Sequence, residues 1–348
     1  MKPSLPDARL SLLASTALSS TYPTSLKLLY AAEGAALDPF AITAIRFSLM
    51  AGCAQVILNS DFGLNSADSD SASSTSTVSS SSASQSSGFW CAAAELGFWA
   101  CAGAQLNTAG LQQISVVRGT ILLASINIMT PILCSLIGTT AAQRQVSSRT
   151  WGGCVLALAS TIFALLDGDL TSLSPDLTFG DDLVLGAALC YATQQVRLGS
   201  LVAAHSAPRL AAARLQTQAA CSLGVLAVAD GGGGADGGRL AAAAPEGVAQ
   251  ALEWAGHLSP VQLALLLVSA LVSVTGTILQ YRGQATVPAA SAQPIYASAP
   301  ILAALWACLV LNEPISSSEA AGGLGIGAAA LLASSSAARV KRGESDTP

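Results

Sequence analysis

Apolar residues run along this chain in blocks of a length that suits helices crossing a bilayer, since a spanning helix needs about 20 predominantly apolar residues. Such blocks are read at 10–31, 39–58, 89–112, 115–138, 150–166, 182–202, 208–229, 260–281, 286–311 and 320–338. The first contains Pro23 and Lys27, and the seventh opens with Arg209 and Arg214. Two stretches interrupt the pattern. Residues 64–87 hold thirteen serines and few apolar side chains. Too little surface is available there to offset ordering entropy, so the segment 59–88 is expected to be a disordered linker. Residues 230–247, DGGGGADGGRLAAAAPEG, are expected to be a second flexible insertion.

The pattern repeats. Sliding the chain on itself by 169 residues pairs Tyr22 with Tyr191, Thr24 with Thr193, Leu29 with Leu198 and Pro39 with Pro208. The same shift pairs Pro131-Ile132-Leu133 with Pro300-Ile301-Leu302, and Gly153 with Gly322. The block 10–31 also has the make-up of a cleaved signal peptide, with Lys2 and Arg9 ahead of LSLLASTALSS. Its place in the repeat argues that it stays. Each half then holds five spans, and because five is odd the second copy enters the membrane from the opposite side. The expected fold is therefore all-α, with ten transmembrane helices arranged as two inverted five-helix repeats. The first repeat is placed at 9–168, the second at 180–335, and a cytosolic tail at 339–348.

Charge placement gives an orientation. With the N-terminus inside, the inner segments carry Lys2, Arg9, Arg144, Arg149, Arg197, Arg209, Arg214, Arg282, Arg339, Lys341 and Arg342. That is the basic bias of cytoplasmic loops. The outer loops are acidic, from Glu33 and Asp38 through Asp167 and Asp181 to Glu313 and Glu319, and Arg239 is their only clear cation. The linker is the exception, being inside yet holding Asp61, Asp68 and Asp70. Both termini are expected in the cytosol, on a multi-pass integral membrane protein.

Composition narrows the function. Apolar residues make up 52% of the chain and charged residues 10%, with a mean hydropathy of +0.56. Soluble proteins carry roughly 25% charged residues, so a soluble enzyme is excluded. A net charge of −5 offers no basic field for nucleic acid. None of the eight cysteines forms a CxxC pair, and they read as small buried hydrophobes. His205 and His257 are placed in loops, so no metal site is expected, and the chain has no GxxxxGK[ST] loop for a nucleotide.

Taken in order, the spans resemble the drug/metabolite transporter superfamily, EamA type, over 9–168 and 180–335. The resemblance rests on Pro39 … Arg46-Phe47, on GAQLNTAGLQQISVVRGTILLASINIMTPILCSLIG, and on LQYRGQATVPAASAQPIYASAPILAALWACLVLNEPISSSEAAGGLGIGAAALL. Within the last piece stand the Gln280 … Gln284 pair, the Ala-Pro300 step, the Asn312-Glu313 loop and Gly322-Gly323. The Ser-rich insert and Gln293 depart from the usual pattern. The resemblance implies a ten-helix secondary transporter of a small organic solute, working by alternating access around a central cavity. It implies no cofactor and no enzymatic activity. A membrane sensor or receptor on the same scaffold is the alternative. The partners expected are a small-molecule solute and the lipid bilayer, with a homodimer left open.

Polar residues inside spans are costly and so mark candidate chemistry. Arg46 either contacts an anionic group of the solute, pairs with Glu95, or reaches the outer headgroups. Glu95 is either a proton-coupling carboxylate or an interfacial charge. Lys27 and Arg118 read as interface residues. Asn107, Asn127, Gln194, Gln293 and Tyr296 are cavity candidates, the last two sharing a helical face at a spacing of three. Tyr22 and Tyr191 are expected to face each other across the pseudo-axis. In each case the competing reading is a polar bond between packed helices. Gly322, Gly323, Gly325 and Gly327 read as packing positions. Pro131 and Pro300 are hinge candidates, each expected inside a span at an equivalent point of the repeat.

Overall fold

The computed structural model describes residues 4–31, 38–59, 81–111, 113–114, 119, 122–139, 144, 146–165, 178–230, 244–311 and 317–340. Among these the protein is all-α, with no strand. The first half holds α1 (Leu5–Ser19), α2 (Thr21–Ala31), α3 (Pro39–Asn59), α4 (Ser81–Leu111), α5 (Ile126–Ile137) and α6 (Ser148–Leu165). The second half holds α7 (Phe179–Ala204), α8 (Ala207–Asp230), α9 (Ala244–His257), α10 (Pro260–Gln284), α11 (Ala289–Tyr296), α12 (Ala299–Leu311) and α13 (Ser317–Val340). Three stretches of the described residues are long and apolar enough to cross a membrane: Phe40–Asn59, Pro260–Gln284 and Ala289–Val310.

Helix starts follow local chemistry. In α7, Thr178 and Asp181 form a reciprocal cap, with the Thr178 backbone N–H donating to Asp181 Oδ2 at 2.7 Å. In α10, Ser259 and Gln262 do the same ahead of Pro260, the Ser259 N–H donating to Gln262 Oε1 at 2.9 Å. Each cap satisfies helix-end donors that have no intrahelical partner.

Several sequence expectations need correction. The first span is two helices, because Pro23 has no N–H to offer the Ser19 carbonyl and the chain turns at Ser20. The ninth span is also two helices. Pro300 has no N–H for the Tyr296 carbonyl, so α11 stops there and α12 begins at Ala299. Pro300 therefore opens a helix, where a missing N–H costs nothing, and is not inside one. Pro131 does sit inside α5, and the helix runs through it. The two prolines are not equivalent, and the bend in the second half lies at Ala297-Ser298.

The linker is shorter than expected, since Ser81–Ser87 already belong to α4. Serine in a helix costs only a few tenths of a kcal/mol relative to alanine, so the apolar helix from Phe89 onward extends back through it. Residues 60–80 lie outside the described residues, as do Arg118, Glu33 and Glu313. Deleting residues 62–79 is expected to leave membrane insertion and thermal stability unchanged; a drop in either would make the segment structural. The second insertion is also shorter, because α9 takes up residues 244–247 and places His257 in a helix. The tail too starts later than 339, as α13 runs to Val340.

The buried core is shared by both halves. Phe47, Met50, Leu96, Leu198, Leu210, Leu215, Val274 and Tyr281 form one cluster contributed by α3, α4, α7, α8 and α10. Helix α4 packs against α7 and α8, while α10 packs against α1 and α3. Helix α5 packs against α7 and α11, and α11 against α1. Helices α3 and α8 face each other, as do α6 and α13. Small residues set the closest approaches. A Cβ at Gly325 of α13 would lie 2.2 Å from Ser160 Oγ of α6. Gly327 has nothing within 4 Å of a Cβ and is no packing position.

Candidate functional site

The polar groups that the sequence puts into apolar helices gather where α2, α3, α7, α8 and α10 meet. Arg46 is at the centre. Its Nη2 donates to Ser273 Oγ at 2.6 Å, its Nε donates to Ser269 Oγ at 3.4 Å, and its guanidinium carbon lies 4.1 Å from the centre of the Tyr22 ring. A guanidinium on an aromatic face is held by the ring's quadrupole. Tyr22, Ser25, Leu29, Ile42, Arg46, Leu265, Leu266 and Ser269 line a pocket. Tyr22, Tyr191 and Arg214 are the electrostatic neighbours of Arg46. Tyr191 stacks close to α4 because residue 103 is glycine: a Cβ there would stand 2.9 Å from Tyr191 Cε1.

Glu95 is not the partner of Arg46. It accepts two hydrogen bonds from Arg197 of α7, one from Nε and one from Nη2 at 2.9 Å. This fork-to-fork pair joins α4 to α7 with both side chains about a third exposed, at 30% and 32%. In such a half-wet position the pair stabilises modestly. The sequence reading missed Arg197 as the partner because it counted Arg197, toward the end of the span 182–202, only in the basic bias of the inner side.

A second polar group lies on the α7, α10 and α11 side. Gln293 is fully buried, and its Nε2 donates to Gln195 Oε1 and to the Ala289 carbonyl at 3.4 Å. Its Oε1 has no hydrogen-bond partner. Tyr296 does not join it: the Tyr296 ring ends beside Gln280 and Gln284 of α10, with its buried hydroxyl closing no hydrogen bond. The expected common face of Gln293 and Tyr296 is thus split between α7 and α10. Gln194 is buried next to the Tyr281 hydroxyl, which also closes no bond. Asn107 keeps a buried Oδ1 without a partner on α4, and Asn127 is buried in the first turn of α5.

Buried polar atoms without partners are uncommon and call for explanation by water, ion or ligand. Here they include Gln105, Gln218 Oε1, Arg214 Nε, Tyr281 Oη, both side-chain atoms of Gln284, and Tyr296 Oη. Arg214, Tyr281, Ser269 and Ser273 were absent from the sequence candidates. Arg214 carried a signal, since it follows Arg46 by 168 residues, one short of the repeat offset. Among the described residues no group of three or more His, Cys, Asp or Glu stands together.

Comparison with known proteins gives a partial match to one family. The model of the EamA-like transporter family matches residues 178–335. No curated protein matches the chain. A solved crystal structure, described only as that of a protein, aligns at a TM-score of 0.65 with 14% identity, over 94% of this chain and 98% of that one. At that identity the likeness is one of fold alone.

Proposed function

We propose that this chain, whose residues 178–335 match the model of the EamA-like transporter family, belongs to the drug/metabolite transporter superfamily and is a secondary carrier of a small organic solute. It works by alternating access between two inverted halves. The observation that carries this reading is the packing scheme. Exchanging the halves turns the α4–α7 contact into α10–α1, α4–α8 into α10–α3, and α5–α7 into α12–α2. The α3–α8 and α6–α13 contacts map onto themselves. Such a scheme is what a two-fold axis in the membrane plane generates, and carriers bind at the interface of those repeats. The polar groups around Arg46 lie where the halves meet, between α2 and α3 of the first and α10 of the second. The breaks at Ser20 and at Ala297-Ser298 free backbone groups that are tolerated at membrane depth only in protein or along a cavity.

The orientation keeps both termini cytosolic. In a cysteine-free background, Ser172→Cys and Leu240→Cys are expected to react with an impermeant maleimide from outside, and Ser147→Cys only after permeabilisation. The reverse pattern inverts the topology. For the activity itself, sealed proteoliposomes are expected to accumulate radiolabelled members of a solute panel above protein-free vesicles. Binding by thermal shift with no uptake by any panel member would favour the sensor reading.

A further inference from the structure

We infer that Arg46 and Arg214 are two successive stations for one small organic anion, a solute bearing a carboxylate or phosphate group. The inference rests on the carrier reading and deepens it. Arg46 stands seven residues after Pro39, where α3 begins, and Arg214 seven residues after Ala207, where α8 begins. At 1.5 Å per residue each lies about 10 Å along its helix. The two helices start from opposite faces of the membrane in the inverted arrangement. Across a hydrocarbon core of about 30 Å, the two guanidinium levels are then separated by roughly 10 Å in depth. They are close enough to be electrostatic neighbours, and Tyr191 has both of them around it, together with Tyr22.

Neither arginine has a carboxylate partner among the described residues. Glu95, the carboxylate placed inside α4, is held by Arg197. Among the described residues Arg46 meets two serine hydroxyls and an aromatic face, and the buried Nε of Arg214 has no acceptor. Two half-buried cations inside a helix bundle, with no carboxylate beside them among the described residues, are costly to keep. A guanidinium is a planar fork matched to carboxylate and phosphate oxygens. A cationic solute would be repelled by both stations, and a neutral one would leave them uncompensated. Tyr22, Ser25 and Ser269 are among the polar residues lining the pocket beside Arg46. Arg214 has Tyr191 and Tyr281 as electrostatic neighbours. An anion passing between the halves is handed from the fork facing one side to the fork facing the other.

The test uses the purified full chain in detergent, with malonate, inorganic phosphate and glycerol 3-phosphate as probes and sodium chloride at matched ionic strength as reference. At least one probe is expected to raise the unfolding midpoint by about 5 °C over the reference. Arg46→Gln and Arg214→Gln are each expected to reduce that shift to under about 1 °C, while Arg214→Lys retains part of it. Arg214→Lys also serves if Arg214→Gln does not fold. No shift with any probe, or a full shift retained in both glutamine variants, overturns the inference. Vesicle flux separates the two levels. Uptake of a neutral solute that is unchanged in both variants sinks the anion stations and leaves the carrier standing. Anion-dependent stabilisation lost in both variants, with no flux of any solute, keeps the stations and sinks the carrier.

Discussion

Arg46→Gln is expected to leave the protein at least as heat-stable as the parent in solute-free detergent, and to lower solute uptake at least tenfold. The two effects have one cause. Arg46 is ringed by Ser269, Ser273 and Tyr22, with no carboxylate among its described neighbours. Removing a half-buried charge that lacks a counter-charge among the described residues relieves a desolvation penalty on the order of 1 kcal/mol. Glutamine can still reach a serine hydroxyl, so little is lost in return. The same charge is what an anionic solute group would meet, so its removal is felt in transport. Adding Glu95→Gln is expected to shift stability additively, since Glu95 belongs to Arg197 and shares no partner with Arg46. A strongly destabilised Arg46→Gln protein rescued by Glu95→Gln would show that the two groups are paired after all.

Gly97→Ala is expected to lower stability by about 1–3 kcal/mol, a large effect for one methyl group. The added Cβ would stand 1.9 Å from Thr217 Oγ1, 2.8 Å from Thr217 Cβ and 3.0 Å from the Arg214 carbonyl oxygen. Thr217 cannot simply swing away, because its β-branched side chain has few rotamers and its hydroxyl donates to the Ala93 carbonyl at 2.9 Å. Helices α4 and α8 must therefore part along the seam next to Arg214. Gly327→Ala provides the contrast. Nothing lies within 4 Å of its Cβ, and alanine is the better helix former by about 1 kcal/mol, so that variant is expected to be neutral or slightly stabilised. Thermal unfolding of the two variants side by side checks both. Equal behaviour would mean that the α4–α8 seam is looser than its geometry implies.

Helix positions were the most legible part of this chain, because a bilayer-length apolar run is a coarse signal that small residues do not blur. Ends were legible where a single residue type decides them, as at Pro260 and in the acidic first turn of α7. Breaks inside runs were harder. Pro23, Pro131 and Pro300 look alike in sequence, yet the first and third separate two helices while the second is carried through α5. What distinguishes them is which carbonyl is left free and what packs against it, and that is tertiary information. Helix α9 escaped notice behind the glycine-rich insertion, although Val248, Ala251, Leu252 and Ala255 recur at helical spacing.

The site was less legible. Arg46, Tyr22 and Tyr191 stand together as neighbours, and Gln293 and Gln194 are buried. The pairings were not readable, because a chain position says on which helix a charge lies but not which helix faces it. Glu95 went to Arg197, and Tyr296 went to α10 while Gln293 went to α7. Arg214 was mistaken for a helix-start cation. Its near-repeat relation to Arg46 was present in the sequence, offset by one residue, but only the contact between α3 and α8 gives that relation a meaning.

The central claim is that two inverted halves carry a solute by exposing one site to each side in turn, and solute counterflow tests it most directly. Proteoliposomes preloaded with an unlabelled anion that stabilises the protein are diluted into a trace of the same anion, radiolabelled. A carrier that returns loaded faster than empty gives a transient uptake several-fold above that of unloaded vesicles, and Arg46→Gln removes the overshoot. Labelled uptake that is the same with and without internal solute, or absent in both, would contradict the account.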